Sequence, residues 1–249
     1  MKYIFLLTLL LTSITFAEDF DETLRLAKEG NAVAQANLGN MYSEGNGVPQ
    51  NDKEALEWYM KSAEQGLSLA QNNLGRIYSK GQGVPQNNQE AFKWYLKAAE
   101  QGNAVAQANL AFMYSDGNGV PQNDKEALEW YMKSAQQGFH GGEYNLGFIY
   151  SKGEGVPQNY KEALKWYRKA AEQGYALAQV NLGNMYFRGD GVPESYITAY
   201  VWFSMAKTSG EEMGAKNIEI ATREMTKQQI AEGQALAAKC YKSNFEDCD

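Results

Sequence analysis

The sequence predicts an all-α solenoid built from helical hairpins. One pattern of glycine, proline and aromatic residues returns every 36 residues, without an insertion, through most of the 249-residue chain. A fixed period of this length is typical of proteins in which each unit stacks on the next. Each unit also holds two apolar patterns of helical spacing, separated by a turn rich in glycine and proline. The period is carried by Gly30, Gly66, Gly102, Gly138, Gly174 and Gly210, and by Trp58, Trp94, Trp130, Trp166 and Trp202.

The first segment of a unit is predicted to be a helix that ends at a glycine. In the first unit, NAVAQANLGNMYSEG places Ala34, Leu38 and Met41 on one face. Gly45 follows as a left-handed helix cap, and Gly47 continues the turn. Both positions are glycine in all five units, as expected where φ is positive.

One glycine lies inside this first helix and has a different role. Gly39 is replaced by Ala111 in the third unit, so the position requires a small residue and not a positive φ. We expect neighbouring helices to touch there.

The second segment, KEALEWYMKSAEQ, is predicted to be a helix capped by Asn51 or Asp52 and ended by Gly66. Pro49 in the preceding turn prevents the first helix from continuing. The residues expected on its inner face are Ala55, Trp58, Tyr59 and Ala63.

The unit AQANLGNMYSEGNGVPQNDKEALEWYMKSAEQG and its four counterparts resemble the Sel-one-like repeats, the 36-residue relatives of tetratricopeptide repeats. The resemblance covers roughly residues 19–210. It implies a right-handed α/α superhelical solenoid that acts as an adaptor or scaffold through its concave surface. It also implies that the first helix of each unit lines the inner curve.

The chain is predicted to have four parts. Residues 1–17 resemble a secretory signal peptide that is cleaved after Ala17, because Lys2 precedes an apolar core. A membrane anchor is the alternative, but the apolar run of about 14 residues is shorter than the ~20 residues of a membrane-spanning helix. Residues 18–29 form an N-terminal half-repeat that caps the stack. Five repeats occupy 30–65, 66–101, 102–137, 138–173 and 174–209, and residues 210–249 form C-terminal capping helices. A periplasmic or secreted protein, with no stable membrane insertion after cleavage, is therefore expected.

The C-terminal part is expected to cover an apolar face. Ile197, Val201 and Met205 stand where earlier units have lysine, glutamate or glutamine. Two helices after Gly210 can cover them, since the terminal unit of a solenoid otherwise exposes its face. The last of these helices begins with a T-x-x-Q capping box, Thr226 to Gln229.

Cys240 and Cys248 are the only cysteines. In one continuous helix they would be about 12 Å apart, whereas a disulfide requires Cα atoms within about 7 Å. A disulfide is favoured in an oxidising compartment, provided that the chain leaves the helix near Ser243 and folds back. A free thiol pair or a metal site is the alternative, and the metal site lacks further ligands.

The sequence offers no catalytic constellation, cofactor motif or metal-ligand cluster. His140 is the only histidine, and it is expected at the surface, where it cannot build a zinc site or a triad alone. Ser204 and Lys207 match S-x-x-K, a motif of β-lactam-binding enzymes, but the match falls inside a repeat helix and no S-D-N accompanies it. A net charge of −7 without a basic run disfavours nucleic acid as a partner.

Partner-binding residues are expected at the positions of the first helices that vary between units. Phe112, Tyr144 and Phe148 are aromatic where other units have polar or small residues, and basic residues lie one turn further on. Aromatic residues and arginine are the usual anchors of interfaces, and basic residues favour an acidic or carboxylate-ended peptide. Packing between helices is the alternative role of the aromatic residues. The candidate site comprises Asn40, Arg76, Lys80, Phe112, Tyr144, Phe148, Lys152, Asn184 and Arg188.

A constant asparagine in each first helix has two possible roles. It either clamps the backbone of a bound peptide or donates a hydrogen bond to the turn of the next unit, and the second is favoured. These residues are Asn37, Asn73, Asn109, Asn145 and Asn181.

Three functions remain open at this stage. The first is a monomeric scaffold that binds an unknown protein or peptide, the second is a β-lactam-binding or cell-wall-directed enzyme, and the third is a host-directed secreted effector.

Overall fold

The computed structural model describes residues 20–245 and 247–248. The predicted signal peptide, residues 1–17, lies outside the described residues. All regular secondary structure in the described part is helical, and none of its helices is long and apolar enough to cross a membrane. Residues 20–28 form α1. The helices that follow are α2 (Ala32–Glu44), α3 (Asp52–Glu64), α4 (Ser68–Lys80), α5 (Asn88–Glu100), α6 (Ala104–Asp116), α7 (Asp124–Gln136), α8 (His140–Lys152), α9 (Tyr160–Glu172), α10 (Ala176–Arg188), α11 (Tyr196–Thr208), α12 (Glu212–Arg223) and α13 (Lys227–Lys242).

The described helices form two compact units, unit one within residues 20–123 and unit two within residues 124–248. In unit one, α2 packs against α3, α3 against α4, α4 against α5, and α5 against α6. The core is built from small residues and one leucine per first helix, because Leu38, Leu74 and Leu110 are fully buried. Alanines between them, among them Ala36, Ala70 and Ala91, let the helices approach closely.

The helix caps follow the sequence. Asn51 accepts hydrogen bonds from the backbone N–H groups of Lys53 and Glu54, so asparagine and not Asp52 caps the second helix. Gly45 adopts a φ of 74° and donates its N–H to the carbonyl of Met41, which confirms the predicted left-handed cap.

The predicted close contact inside the first helix is confirmed. A Cβ on Gly75 would lie 2.5 Å from Cδ1 of Tyr95, a buried ring of the partner helix in the same repeat. Gly39 faces Tyr59 in the same way. The glycine therefore makes room for the ring, and an alanine there requires the ring to shift.

The tryptophans divide into two groups. Trp58 and Trp94 of unit one are half-buried, with the ammonium groups of Lys61 and Lys97 4.0 and 4.3 Å from the ring centroids. In unit two, Trp202 is fully buried. Trp58 thus lies at the rim of the core and not wholly inside it, where a lysine covers its open side.

In unit two, α12 and α13 pack against α11. Val201 and Met205 are buried in the resulting core, and Ile197 packs against it. Thr226 and Gln229 form both hydrogen bonds of the capping box, at 3.2 and 2.8 Å. Two C-terminal helices therefore cover the apolar face of α11, as predicted.

The two cysteines lie close together. The chain leaves α13 after Lys242 and turns back through Asn244 and Phe245, which have φ values of 54° and 71°. The Cα atoms of Cys240 and Cys248 are 4.5 Å apart. This is the reversal that the sequence requires for a disulfide.

Candidate partner-binding site

The variable residues of the first helices line two grooves, one in each unit. Groove A lies in unit one between α4 and α6 and has a volume of about 520 Å³. Its lining comprises Asn72, Arg76, Ser79, Lys80, Gln86, Asn88, Tyr95, Val105, Asn109, Phe112, Met113 and Asn118. Three of the nine predicted residues, Arg76, Lys80 and Phe112, therefore come together in one groove.

Groove A has a cationic wall and an apolar wall. On α4, Arg76 donates a hydrogen bond to Gln82 Oε1 at 2.9 Å, and Lys80 is exposed. Neither forms an ion pair with a described acidic residue. On α6, the side chains of Phe112 and Val105 are 55% and 40% exposed. The groove can therefore take a group that is both anionic and apolar.

Groove B lies in unit two between α8 and α10 and has a volume of about 270 Å³. Its lining comprises Tyr144, Phe148, Ser151, Lys152, Tyr160, Tyr167, Asn181, Asn184, Met185, Arg188 and Asp190. Five further predicted residues thus share one groove: Tyr144, Phe148, Lys152, Asn184 and Arg188.

The aromatic residues of groove B combine packing with exposure to the groove. Tyr144 and Phe148 pack against the core of unit two, and the ring of Tyr144 lies 5.8 Å from that of Tyr167. Burial raises the pKa of Tyr167 to about 12, so its hydroxyl stays neutral at physiological pH. The ammonium group of Lys152 is 5.9 Å from the ring centroid of Phe148. Tyr144 and Phe148 therefore pack within unit two and also line groove B.

Asn40 lines neither groove. Its Oδ1 accepts hydrogen bonds from the hydroxyl of Tyr59 at 2.6 Å and from Nδ2 of Asn73 at 3.3 Å. Asn184 lines groove B, but its Oδ1 accepts from Asn217 of α12 at 3.2 Å. Both side chains thus connect helices, and Asn40 in particular has a packing role.

The constant asparagines hydrogen-bond to helices. Asn73 donates to Asn40, and Asn109 donates to Asn72 Oδ1 at 3.2 Å, in each case on the first helix of the preceding repeat. Asn145 donates to the carbonyl of Gly141 in its own helix at 2.8 Å. For Asn73, Asn109 and Asn145 the expected partner, a turn of the next repeat, was wrong, because their amide groups donate to groups on first helices.

The candidates for catalysis have other contacts. Ser204 donates its hydroxyl hydrogen to the carbonyl of Tyr200 one helical turn earlier, at 2.8 Å, and Lys207 is exposed. His140 is half-buried, and its ring lies between those of Phe139 and Tyr175, with centroids 4.8 and 4.9 Å away. His140 is thus less exposed than expected, because the rings of Phe139 and Tyr175 pack against its ring. No cluster that could hold a metal ion occurs in the described ranges.

Several lining residues were missed by the sequence analysis. Asn88 and Tyr160 lie in the grooves but begin second helices, which were treated as structural. The equivalent position varies between the 36-residue repeats, as aspartate, asparagine or tyrosine, and this variation could have identified Asn88 and Tyr160 as groove residues. The turn residue Asp190 was missed as well.

The repeat geometry agrees with a comparison against protein families. The Sel1 repeat model matches residues 32–67, 68–103, 104–139, 141–175 and 176–211. The protein belongs to the Sel1 repeat family. The predicted fold class, an all-α solenoid of five repeats, is confirmed. Membership in this family indicates a role in protein–protein interaction in general.

Solved Sel1 repeat structures resemble this chain over most of its length. A Sel1 repeat protein from Oxalobacter formigenes is 34% identical, with a TM-score of 0.76 over 84% of this chain and 85% of that one. A protective antigen of uropathogenic Escherichia coli is 31% identical, with a TM-score of 0.59 over 94% of this chain and 57% of the antigen. An immunity protein from Pseudomonas aeruginosa, at 22% identity and a TM-score of 0.54 over 76% of this chain and 73% of that one, shares the fold. No curated protein matches the sequence.

Proposed function

We propose that this Sel1 repeat protein is a non-catalytic scaffold that binds a protein or peptide on the face formed by the first helices of its repeats, the face expected to be concave. One observation carries the proposal: eight of the nine variable residues identified from the sequence line grooves A and B, whereas constant leucine and alanine positions such as Leu38 and Ala55 are buried in helix packing. A repeat protein that varies along the lining of its grooves has the means to select a partner.

We further propose a periplasmic or secreted location. The predicted signal peptide supports it, and so does the closeness of Cys240 and Cys248, which suits a disulfide in an oxidising compartment. The mass of the protein isolated from its host checks both points, because cleavage after Ala17 and loss of two cysteine hydrogens each have a defined mass.

The function is tested with Phe112→Asn combined with Phe148→Asn. Asparagine occurs naturally at this position in the first and fifth repeats, so the fold tolerates it. A photo-crosslinking residue at position 80 or 152 should capture an envelope partner in the otherwise unchanged protein. We expect the double variant to lose this crosslink while its melting temperature changes by a few degrees only.

Tyr241→Asn is the matched control, because Tyr241 is an exposed aromatic residue of α13 outside both grooves. It should crosslink as the unchanged protein does. Equal crosslinking by the double Phe variant would contradict the proposal.

A further inference from the structure

Grooves A and B are lined by equivalent repeat positions that are 72 residues apart in the sequence. Every described lining position of groove B corresponds to a lining position of groove A or lies one turn beyond it on the same helix. Five pairs are identical in type: Ser79 and Ser151, Lys80 and Lys152, Tyr95 and Tyr167, Asn109 and Asn181, Met113 and Met185. Both grooves therefore share these five residue types, and the lysine is the one cation among them.

The walls differ in an ordered way. Arg76 on α4 of groove A corresponds to Phe148 on α8 of groove B. On the opposite wall, Phe112 of α6 corresponds to Asn184 of α10, and Arg188 is added one turn later. Each groove thus holds one phenylalanine, one lysine and one arginine, but the aromatic and the guanidinium side chains have exchanged walls.

We infer that each groove is a separate binding site for a peptide segment in which a carboxylate lies beside a large apolar side chain, and that the two sites accept this pair in opposite orders. This inference rests on the proposed function and names the class of ligand. Since the two grooves are lined by equivalent helices, a segment that crosses them in one direction meets the guanidinium group first in groove A and the phenylalanine ring first in groove B, while the lysine keeps its place.

The contacts of groove A support an acidic ligand. Arg76 and Lys80 lie on one wall, and no carboxylate is among the lining residues. An uncompensated cation pair beside the exposed Phe112 is complementary to an anionic, partly apolar group. Asn109 donates to Asn72, which leaves the Nδ2 of Asn72 and the Oδ1 of Asn109 without a described hydrogen-bond partner. These two groups can pair with the amide groups of a peptide backbone.

Groove B is smaller and less strongly cationic. Lys152 and Arg188 share the lining with Asp190, so the net charge of the groove is one unit lower than that of groove A. Tyr144 and Phe148 present aromatic surface to the same space. We therefore expect groove B to depend more on the apolar side chain and groove A more on the carboxylate.

The test uses two acetylated octapeptides in which serines flank the sequence Glu-Glu-Leu-Leu or Leu-Leu-Glu-Glu. Their counterparts carry glutamine in place of glutamate or serine in place of leucine. Met113 lines groove A and Met185 lines groove B, so ¹³C-methyl methionine signals report on each groove separately. Met113→Leu and Met185→Leu assign the two signals.

We expect the acidic peptides to shift both methionine signals, with opposite preferences for the order of the residues. Glutamine in place of glutamate should weaken binding at groove A on the order of tenfold. Arg76→Gln with Lys80→Gln should remove the response of Met113 and leave that of Met185, whereas Phe148→Asn should do the reverse. Lys53→Gln with Lys93→Gln is the control, because it removes two charges of unit one outside the groove.

Three outcomes would overturn the inference: signals that no peptide shifts, glutamine peptides that bind as well as glutamate peptides, or the same residue order preferred by both grooves. Inorganic polyphosphate that shifts Met113 when no peptide does would assign the groove to a polyanion instead. If a crosslinked partner is still lost in the double Phe variant, the proposed function stands although this inference has failed.

Discussion

In four of the five repeats a buried glutamine joins the first helix to the helix before it, and these residues are called here the glutamine column. The Nε2 group of each glutamine donates to a backbone carbonyl eight residues earlier, at 3.0 to 3.2 Å. These carbonyls also accept the N–H of the glycine that ends the preceding helix. The column consists of Gln35, Gln71, Gln107 and Gln179.

Glu143 interrupts this column in the fourth repeat. Its side chain is 3% exposed and accepts a hydrogen bond from Nε2 of Gln173 at 2.6 Å. An ionised carboxylate cannot donate, and no described side chain donates to the carbonyl of Ala135, eight residues earlier. Burial raises the pKa of Glu143 and Glu172 adds to the effect, whereas Lys169 and the hydrogen bond from Gln173 oppose it.

The raised pKa makes a pH-dependent prediction for Glu143→Gln. The Glu143 carboxyl binds its proton more tightly in the folded state than in the unfolded state. The stabilisation that this gives the unchanged protein is complete below the pKa of Glu143 in the unfolded state, and it is lost as the pH rises through the pKa of Glu143 in the folded state. The free energy of unfolding of the variant should therefore exceed that of the unchanged protein increasingly as pH rises from 4 to 8. The glutamine also restores a hydrogen bond worth about 1 kcal/mol.

Urea unfolding across this pH range checks the prediction. Glu100→Gln, an exposed change on α5 at a residue that does not contribute to the pKa shift of Glu143, supplies the control for removing one negative charge. A stability difference that is independent of pH would show that Glu143 does not titrate differently in the folded state.

At the scale of the element, the inter-helix turns need glycine for two separable reasons. Gly102 has a φ of 87° and no atom within 4 Å of the place where a Cβ would stand. Gly119 has a φ of 75°, and its Cβ would also collide with the backbone of Asn88 in the preceding repeat. The positive φ alone explains why glycine is needed at position 102, whereas at position 119 the close backbone of the preceding repeat is a second reason.

Gly102→Ala and Gly119→Ala form a matched pair within unit one. The first should lose about 1 kcal/mol of stability through the left-handed backbone alone. The second should lose a further ~1–3 kcal/mol, because the backbone of Asn88 must move away. Chemical denaturation measures both, and equal losses would mean that the turn of one repeat does not press on the next.

At the scale of the whole molecule, the repeats require a cover at their C-terminal end. Trp202, Phe203 and Met205 of α11 are almost fully buried in a core to which α12 and α13 contribute. Without these two helices that core would open to solvent, and burial of each large side chain contributes roughly 1.5–3 kcal/mol.

Truncation after Gly210 should therefore cause aggregation or a broad, non-cooperative thermal transition in calorimetry. Truncation after Ser243 is the control, because it keeps both helices and removes only the segment that carries Cys248. A chain ending at Gly210 that stays soluble and melts as cooperatively as the control would contradict the capping role.

The repeats, the caps and the two terminal helices could be predicted because each depends on local chemistry. Glycine at a positive φ, asparagine at a helix start and a 36-residue period leave their mark in consecutive residues. The grooves could be predicted in part only. Arg76, Lys80 and Phe112 were identified from their variation, but Asn88 was missed, because its contribution depends on how a second helix begins beside the next repeat.

The sequence by itself determined that this protein is a stack of helical hairpins with five units and closed ends, since a repeated pattern of small and aromatic residues can bury its surface in one way only. The tertiary structure decided which side chains meet. In the folded protein Asn40 accepts a hydrogen bond from Tyr59, His140 lies between two rings, and Glu143 is buried beside Gln173. These contacts join residues up to 35 positions apart, so they depend on the packing distance between helices, which no local pattern encodes.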